Sequence, residues 1–127
     1  MKKIILSLIL VLFTIPAIAD ELNSASEIWL NPVEPQYVCM VTDRSFKTPQ
    51  FNVEVEGKTY FGCCPMCKSK LEKDSSLRAA IDPVSGNDVD KATATIGTDL
   101  NQNVYYFENE DNFKSYAAKD MPKEPKM

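Results

Sequence analysis

Gly62-Cys63-Cys64-Pro65-Met66-Cys67 is the stretch on which the organisation of this chain depends. Three of the four cysteines lie within these six residues, and the fourth, Cys39, is separated from Cys63 by 23 residues. The sequence contains no histidine. Soft-metal or redox chemistry must therefore use sulfur, and the question is whether the cysteines form a metal site, a redox dithiol or a structural disulfide.

A β-hairpin followed by a helix is predicted around the cysteine stretch. Residues 51–56 alternate apolar and polar side chains, Gly57-Lys58 can turn the chain, and an aromatic strand returns to Gly62. Pro65 suits the first turn of a helix, which is predicted to continue through Asp74. Ser75-Ser76 is predicted to cap a second short helix over residues 77–81.

The second half of the chain repeats this plan. Residues 82–86 have strong turn chemistry, strands are predicted over 92–96 and 104–107, and a helix is predicted to begin near Asn109 and end at Ala118. Aligning the two halves places Cys39, Cys63 and Cys67 opposite Ser85, Glu108 and Asn112. The first copy is therefore predicted to hold the chemistry and the second to keep the shape.

Metal binding is the function that the cysteine spacing favours. Cysteines four apart at a helix start lie on one side, Cys39 can reach them from a knuckle, and the helix dipole favours thiolate over thiol. Thiolates bind Zn(II), Cu(I), Cd(II) and Hg(II). Cu(I) accepts two or three sulfurs, with Met40 and Met66 as further thioethers, whereas Zn(II) needs a fourth ligand. The predicted metal ligands are Cys39, Cys63, Cys67 and, as fourth ligand or transfer thiol, Cys64.

Two other interpretations of the cysteines stay open at this point. Cys64-Pro65-Met66-Cys67 is a C-x-x-C at a helix start, which could cycle between dithiol and disulfide, although the chain lacks the βαβ pattern of a thioredoxin-like protein. Alternatively, Cys39 and the cluster could form structural disulfides. The metal-binding interpretation assigns no catalytic residue and predicts that the protein is not an enzyme.

The N-terminus has the anatomy of a secretory signal peptide. Met1-Lys2-Lys3 is basic, residues 4–15 are apolar, and Ala17-Ile18-Ala19 follows Pro16 as a cleavage site. The apolar run is shorter than the roughly 20 residues that span a bilayer as a helix, which argues against an uncleaved anchor. We therefore predict a periplasmic or secreted protein in which cysteines can be oxidised.

Net charge argues against two classes of partner. Loss of Lys2 and Lys3 lowers the 14 basic residues to 12 against 18 acidic residues, a net charge of −6. Nucleic acids and anionic membranes both require cationic surfaces. The partner predicted here is a soft metal ion.

The cysteine pattern resembles that of the TRASH family, which consists of small treble-clef-like domains tied to heavy-metal trafficking, resistance and sensing. The matching features are Cys39, the aromatic strand Tyr60-Phe61 and the pair Cys63-x-x-x-Cys67. Cys64 is additional to that pattern. The resemblance implies metal binding outside the cytoplasm, with copper passed to or from an efflux system or a metallochaperone.

The second half resembles the related YHS domain. The matching features are Asp82-Pro83-Val84-x-Gly86 and the strand Tyr105-Tyr106-Phe107. The cysteines of that family fall here at Ser85, Glu108 and Asn112, so its ligands are missing.

The predicted fold class is α+β, with two small treble-clef-like β-hairpin-helix modules in tandem. The predicted division is a signal peptide (1–19), an N-terminal linker (20–36), a TRASH-like metal-binding module (37–81), a degenerate YHS-like module (82–118) and a disordered tail (119–127). The predicted function is that of an exported protein that binds Cu(I) or Zn(II) through cysteine thiolates.

Overall fold

A computed structural model of the chain describes residues 28–121, which form a mixed α+β fold. The predicted fold class is therefore confirmed. The predicted signal peptide, the part of the predicted linker before Ile28 and the part of the predicted tail beyond Met121 lie outside the described residues. Within the described range, no helix is long and apolar enough to cross a membrane.

The described elements are short and follow one another closely. The strands, in chain order, are β1 (Leu30–Pro32), β2 (Val38–Cys39), β3 (Arg44–Ser45), β4 (Phe51–Val55), β5 (Lys58–Gly62), β6 (Ala79–Ile81), β7 (Asp88–Asp90), β8 (Thr95–Asp99) and β9 (Val104–Phe107). The helices are α1 (Pro65–Lys73) and α2 (Glu110–Ala117), and single 3-10 turns cover Pro35–Tyr37 and Ser75–Arg78.

All strand pairs among these elements are antiparallel. One sheet has three strands in the order β1-β8-β9, and the pairs β2-β3, β4-β5 and β6-β7 form separate two-stranded ribbons. Each helix follows directly on a hairpin: α1 follows β4-β5, and α2 follows β8-β9. The hairpin-helix order predicted for both halves is therefore present.

The β4-β5 hairpin carries the chain to the cysteine stretch. Val53 pairs with Tyr60, and both side chains are buried. The turn consists of Glu56 and Gly57, with φ of 51° and 77°, which is the backbone that two-residue hairpin turns require. The predicted turn at Gly57-Lys58 was one residue too late, because Lys58 already pairs with Val55.

The short helix predicted over residues 77–81 is wrong. A 3-10 turn over Ser75–Arg78 is capped by the Asp74 carboxylate, which accepts a hydrogen bond from the Ser76 amide at 2.9 Å. The chain then enters β6, which pairs with β7. The alanines of β6 favour a helix locally, but pairing with a later strand overrides that weak preference.

The main hydrophobic core draws on both halves of the chain. Its buried members are Val38, Met40, Val53, Tyr60, Leu71, Val89, Ile96, Val104 and Tyr106. The two halves therefore pack as one body, and their division into two treble-clef-like modules stays a prediction.

A second cluster joins the two ends of the described chain. Trp29, Leu30 and Phe107 are its buried members, and Met121 packs against it. The Trp29 indole also donates a hydrogen bond to the Lys119 carbonyl at 2.7 Å. Trp29 therefore anchors this packing, to which residues assigned by sequence to a linker and a tail contribute.

Candidate metal centre

Three of the four predicted sulfur ligands meet at one point in the fold. The Sγ atoms of Cys39, Cys63 and Cys67 all lie within 4.8 Å of one another, and those of Cys63 and Cys67 are 3.6 Å apart. Cys39 and Cys67 are buried, whereas Cys63 is half-buried. The residues come from β2, from the junction after β5 and from the first turn of α1, so the long and short cysteine spacings converge as predicted.

A tight knuckle presents Cys39 to the other two thiols. Cys39 pairs with Arg44 across β2 and β3, and the Met40 amide donates to the Phe61 carbonyl at 2.9 Å. Asp43 closes the knuckle with a positive φ of 51°, a conformation that aspartate tolerates better than most residues. The Met40 bond connects the knuckle to β5, the strand that leads to Cys63.

A lysine from the second half of the chain fixes this knuckle. The Lys91 ammonium, on a side chain 4% exposed, donates to the Met40 carbonyl and to the Asp43 carboxylate, both at 2.7 Å. The Tyr106 hydroxyl donates to the same carboxylate at 2.8 Å, and the Val104 amide donates to the Asp43 carbonyl at 3.1 Å. The knuckle that contains Cys39 is therefore anchored, at Met40 and Asp43, by groups about 50 or more positions later in the chain.

Gly62 allows the first turn of α1 to pack against the end of β5. A Cβ at this position would lie 3.0 Å from the Cys67 Cβ and 3.2 Å from the Cys67 carbonyl carbon. A larger residue would therefore require the first turn of α1 to shift by a few tenths of an ångström. Gly62 thus favours close packing of Cys67 against the end of β5, and this role does not depend on a positive φ.

Cys64, the fourth predicted ligand, lies at the edge of this group. It is the N-cap of α1, and its sulfur accepts a hydrogen bond from the Cys67 amide at 3.4 Å. Its counterpart in the second half is Asn109, which caps α2 by accepting from the Asn112 amide at 2.8 Å. The two caps have nearly the same backbone angles, with φ and ψ of −156° and 167° at Cys64 and −157° and 171° at Asn109. The predicted start of this helix near Asn109 is confirmed, and Asn109 itself is the N-cap.

The two predicted thioether donors differ in exposure. Met40 is fully buried and belongs to the main core. Met66 is 68% exposed in the first turn of α1. Met66 is therefore the methionine that solvent and partner molecules can reach.

The environment of Cys39 favours its thiolate. Burial alone would raise its pKa, but hydrogen bonds from the Thr42 hydroxyl and from the amides of Thr42, Val41 and Cys63 lower it from 9.0 to about 7. Donors directed at a sulfur stabilise the charged form, which is also the form that binds metals.

The other two thiols of the group hold their protons more tightly. Burial, the neighbouring Cys64 and Cys63 thiols and the charge of Cys39 raise the pKa of Cys67 to about 12. The pKa of Cys63 is also raised, first by its hydrogen bond with Cys39 and then by burial. Without a cation, the group therefore supports one thiolate readily and resists the second and third.

The aligned positions in the second half form a polar network in place of thiols. Asp82 is fully buried, and its carboxylate accepts from the Glu108 amide and from the Asn112 side chain, both at 2.8 Å. It also accepts from the Val84 amide at 2.7 Å and from the Ser85 amide at 3.2 Å. A buried carboxylate thus joins the loop to the start of α2. At the corresponding place in the first half, the start of α1, three sulfur atoms meet instead.

All four cysteines are free thiols in this structure. No family model, curated protein or solved structure matches the chain. The function is therefore inferred from the site itself. The sequence predicted the three converging cysteines but not the roles of Lys91, Gly62 and Asp82. Gly62 and Asp82 stood in local motifs, whereas Lys91 carried no local signal.

Proposed function

We propose that this protein binds a soft metal ion, Cu(I) or Zn(II), through the thiolates of Cys39, Cys63 and Cys67. The observation that carries the proposal is the convergence of three Sγ atoms within 4.8 Å from elements far apart in sequence. Sulfurs bound to one zinc ion at about 2.3 Å in tetrahedral geometry lie about 3.8 Å apart, which is close to the 3.6 Å between Cys63 and Cys67.

The donor set suits thiophilic ions. Three sulfurs without a nitrogen or carboxylate ligand favour Cu(I) and related soft ions over Mg(II), Ca(II) or Mn(II). A tetrahedral zinc ion needs a fourth donor. Cys64, the predicted fourth ligand, would have to turn from the Cys67 amide to supply it.

The biological role that we propose is heavy-metal trafficking, resistance or sensing outside the cytoplasm. The TRASH-like spacing of the cysteines and the signal-peptide-like residues 1–19 support this role. The protein would exchange its ion with an efflux system or a metallochaperone, without acting as an enzyme. The YHS-like second half would act as a scaffold for the metal site, since this half supplies Lys91 and Tyr106 to the knuckle.

A thiol-disulfide redox protein is the second candidate. The sequence suggested Cys64 and Cys67 as its redox pair, whereas the shortest sulfur–sulfur contact given by the structure joins Cys63 and Cys67 at 3.6 Å. Oxidation of Cys63 with Cys67 would remove two thiols from the three-sulfur group, and oxidation of Cys64 with Cys67 would remove one. Redox function therefore predicts a reversible disulfide in the native protein and low metal content.

Metal analysis of the full chain, exported and purified without oxygen, separates these candidates. We expect about one equivalent of a soft metal per chain, with free thiols protected from alkylation while the ion is bound. Cys39→Ala should weaken binding at least about 100-fold, since even outer-shell partners are worth about 10–100-fold. Ser85→Ala, at the aligned position of the second half, should bind like the wild type. Less than a tenth of an equivalent, with no uptake of Cu(I) or Zn(II) by reduced protein, would refute the proposal.

A further inference from the structure

We infer that Cys64 is the exchange ligand of this site: it receives the ion from a carrier and passes it to the three converging thiols, and it is outside the resting coordination group. This inference rests on the proposed function and assigns a role to the one cysteine that the three-sulfur group leaves out. It also states how an ion reaches ligands that are largely buried.

Exposure along the cysteine stretch defines the direction of exchange. Cys39 is fully buried and Cys67 is 7% exposed, so neither can meet a carrier molecule directly. Cys63 and Cys64 are half-buried, and Met66, two residues after Cys64, is 68% exposed. Sulfur donors thus run from exposed Met66, through half-buried Cys64 and Cys63, to the two buried thiols of Cys39 and Cys67.

The position of Cys64 keeps its sulfur close to the site but weakly engaged. Its contact with the Cys67 amide measures 3.4 Å, whereas the equivalent contact of Asn109 with the Asn112 amide measures 2.8 Å. Both distances are ordinary for their acceptor atoms, but a thiol sulfur is a weaker hydrogen-bond acceptor than an amide oxygen. A cap that only had to stabilise the helix would be better served by Asn, Asp or Ser, so the choice of cysteine here points to metal chemistry.

The surroundings of Cys64 leave room for a carrier. Met66 lies at the rim of a groove with Val41 and Leu77 on its apolar side and with Lys70 and Lys73 beside them. Pro65, between Cys64 and Met66, is exposed. Cys64 is itself half-buried and is followed by two exposed residues, so a small thiol carrier can approach this side of the cysteine stretch.

The transfer is an associative ligand exchange. A metal–sulfur bond to Cys64 forms as one bond to a carrier sulfur breaks, and the departing carrier thiolate keeps its electron pair. Cys63 and then the buried thiols replace the remaining carrier sulfurs and Cys64. Any sulfur that still carries a proton loses it to water as it binds, and Cys64 can take one back from water when it leaves the ion. The ion keeps its oxidation state throughout, and no oxidant or reductant takes part.

Cys64→Ser tests the inference, because serine removes the thiol and keeps a good N-cap. Cu(I) would be supplied as its complex with a small thiol, and both the affinity and the rate of transfer would be measured by competition with a coloured chelator. We expect one equivalent bound at near wild-type affinity, with transfer slowed about tenfold or more, equivalent to about 1.4 kcal/mol in the barrier. Cys64→Asn, which copies Asn109, should behave like Cys64→Ser. Glu72→Gln, exposed on the same helix and outside the groove, should transfer at the wild-type rate.

The possible outcomes separate this inference from the proposed function. Unchanged transfer in Cys64→Ser would overturn the inference and leave Cys64 as a cap alone. A large loss of equilibrium affinity would also overturn it, because Cys64 would then be a permanent ligand. If the wild type itself binds no soft metal, the proposed function fails, independently of the comparison between variants.

Discussion

Cys39 is the residue at which the electrostatics and the geometry of the site meet. It is buried and yet has a pKa of about 7, because the Thr42 hydroxyl and three backbone amides outweigh the cost of burial. Cys67 lies a few ångströms away with a pKa raised to about 12, chiefly by burial. A bound cation would offset the repulsion between neighbouring thiolates, so that all three sulfurs could be ionised at once.

Metal affinity should therefore rise with pH. Between about pH 7 and 9, Cys39 is ionised while Cys63 and Cys67 keep their protons, so binding should release about two protons and log K should rise by about two per pH unit. Below pH 7 Cys39 is protonated as well, and the slope should approach about three. Calorimetry in buffers of different ionisation enthalpy measures the protons released; a pH-independent affinity would contradict the assignment of three thiol ligands.

Lys91 is the residue on which the knuckle depends most. Lys91→Met would leave the buried Met40 carbonyl without its ammonium partner and should lower the free energy of unfolding by about 1–3 kcal/mol. It should also weaken metal binding about tenfold or more, because Cys39 would lose its fixed orientation. Urea unfolding and chelator competition measure the two effects.

Lys58→Met is the matched control for Lys91→Met. Lys58 also pairs with an aspartate, Asp90, at 2.6 Å, but its side chain is 49% exposed. Its loss should cost less than about 1 kcal/mol and leave metal affinity unchanged. Equal effects of the two substitutions would show that burial at Lys91 has no special role.

At the scale of single elements, each helix start has its own way of joining the preceding loop. The start of α1 lies beside three thiols, whereas the start of α2 is tied to the fully buried Asp82 carboxylate. Burial raises the pKa of Asp82, but its hydrogen bonds with the Asn112 side chain and with the amides of Glu108, Val84 and Ser85 bring it below 3.8. The second half is thus stabilised here without a metal ion.

Asp82→Asn tests whether hydrogen bonds to the Asp82 carboxylate stabilise the start of α2. The NH2 group of the new side chain would point at N–H groups that now donate to the carboxylate. The free energy of unfolding should therefore fall by about 2–3 kcal/mol at neutral pH. Since the folded-state pKa lies below the unfolded value, the carboxylate's contribution is complete above about pH 4 and is lost as pH falls through the folded pKa. The difference in the free energy of unfolding between the wild type and Asp82→Asn should therefore become smaller in acid.

Asp88→Asn is the control for that experiment. Asp88 is exposed at the start of β7, so its substitution should change stability by less than about 0.5 kcal/mol. Denaturant unfolding from pH 7 to pH 2 compares the three proteins. A constant gap between wild type and Asp82→Asn across this range would show that the carboxylate charge is not what stabilises the loop.

Local sequence patterns predicted most of the helices and strands. They failed where a strand is determined by pairing with a later part of the chain. The alternation in β4, the proline at the start of α1 and the cap at Asn109 all have sequence signatures within a few residues. The strand β6, placed by sequence in a helix, is set by pairing with β7. The strand β1 is set by pairing with β8, 65 or more residues later, and no short-range pattern encodes that partner.

The candidate site was predictable to the same extent. Cysteine spacing at a hairpin-helix junction predicts that Cys39, Cys63 and Cys67 converge, since hairpins and helix starts have fixed local geometry. The support from Lys91 was not predictable, because a lysine 51 residues from Met40 carries no mark of its buried partner. The role of Cys64 as a cap became clear only from its match to Asn109.

At the scale of the whole molecule, the halves share one hydrophobic core, and the metal group lies at the edge of that core. Cys39 is flanked by core residues Val38 and Met40, and Cys67 precedes the core residue Leu71 by one helical turn. Core contacts beside Cys39 and Cys67 and the Lys91 hydrogen bonds to the knuckle support this group, so we expect it to be formed without an ion. This arrangement differs from small zinc domains that are unfolded without metal.

Metal removal should accordingly weaken the protein without unfolding it. The apoprotein should keep its far-UV circular dichroism and unfold in one cooperative transition. Metal at 100 times its dissociation constant should add about 2.7 kcal/mol to the free energy of unfolding. Thermal unfolding of reduced protein with and without metal measures both; an unfolded apoprotein would mean that the ion is a structural requirement.

X-ray absorption spectroscopy of the metal-loaded, fully reduced protein tests the central claim most directly. We predict one ion per chain with three sulfur neighbours at about 2.3 Å, and loss of that sulfur signal in Cys39→Ala. An ion surrounded only by oxygen or nitrogen, or the same sulfur signal in Cys39→Ala as in the wild type, would contradict a site built from Cys39, Cys63 and Cys67.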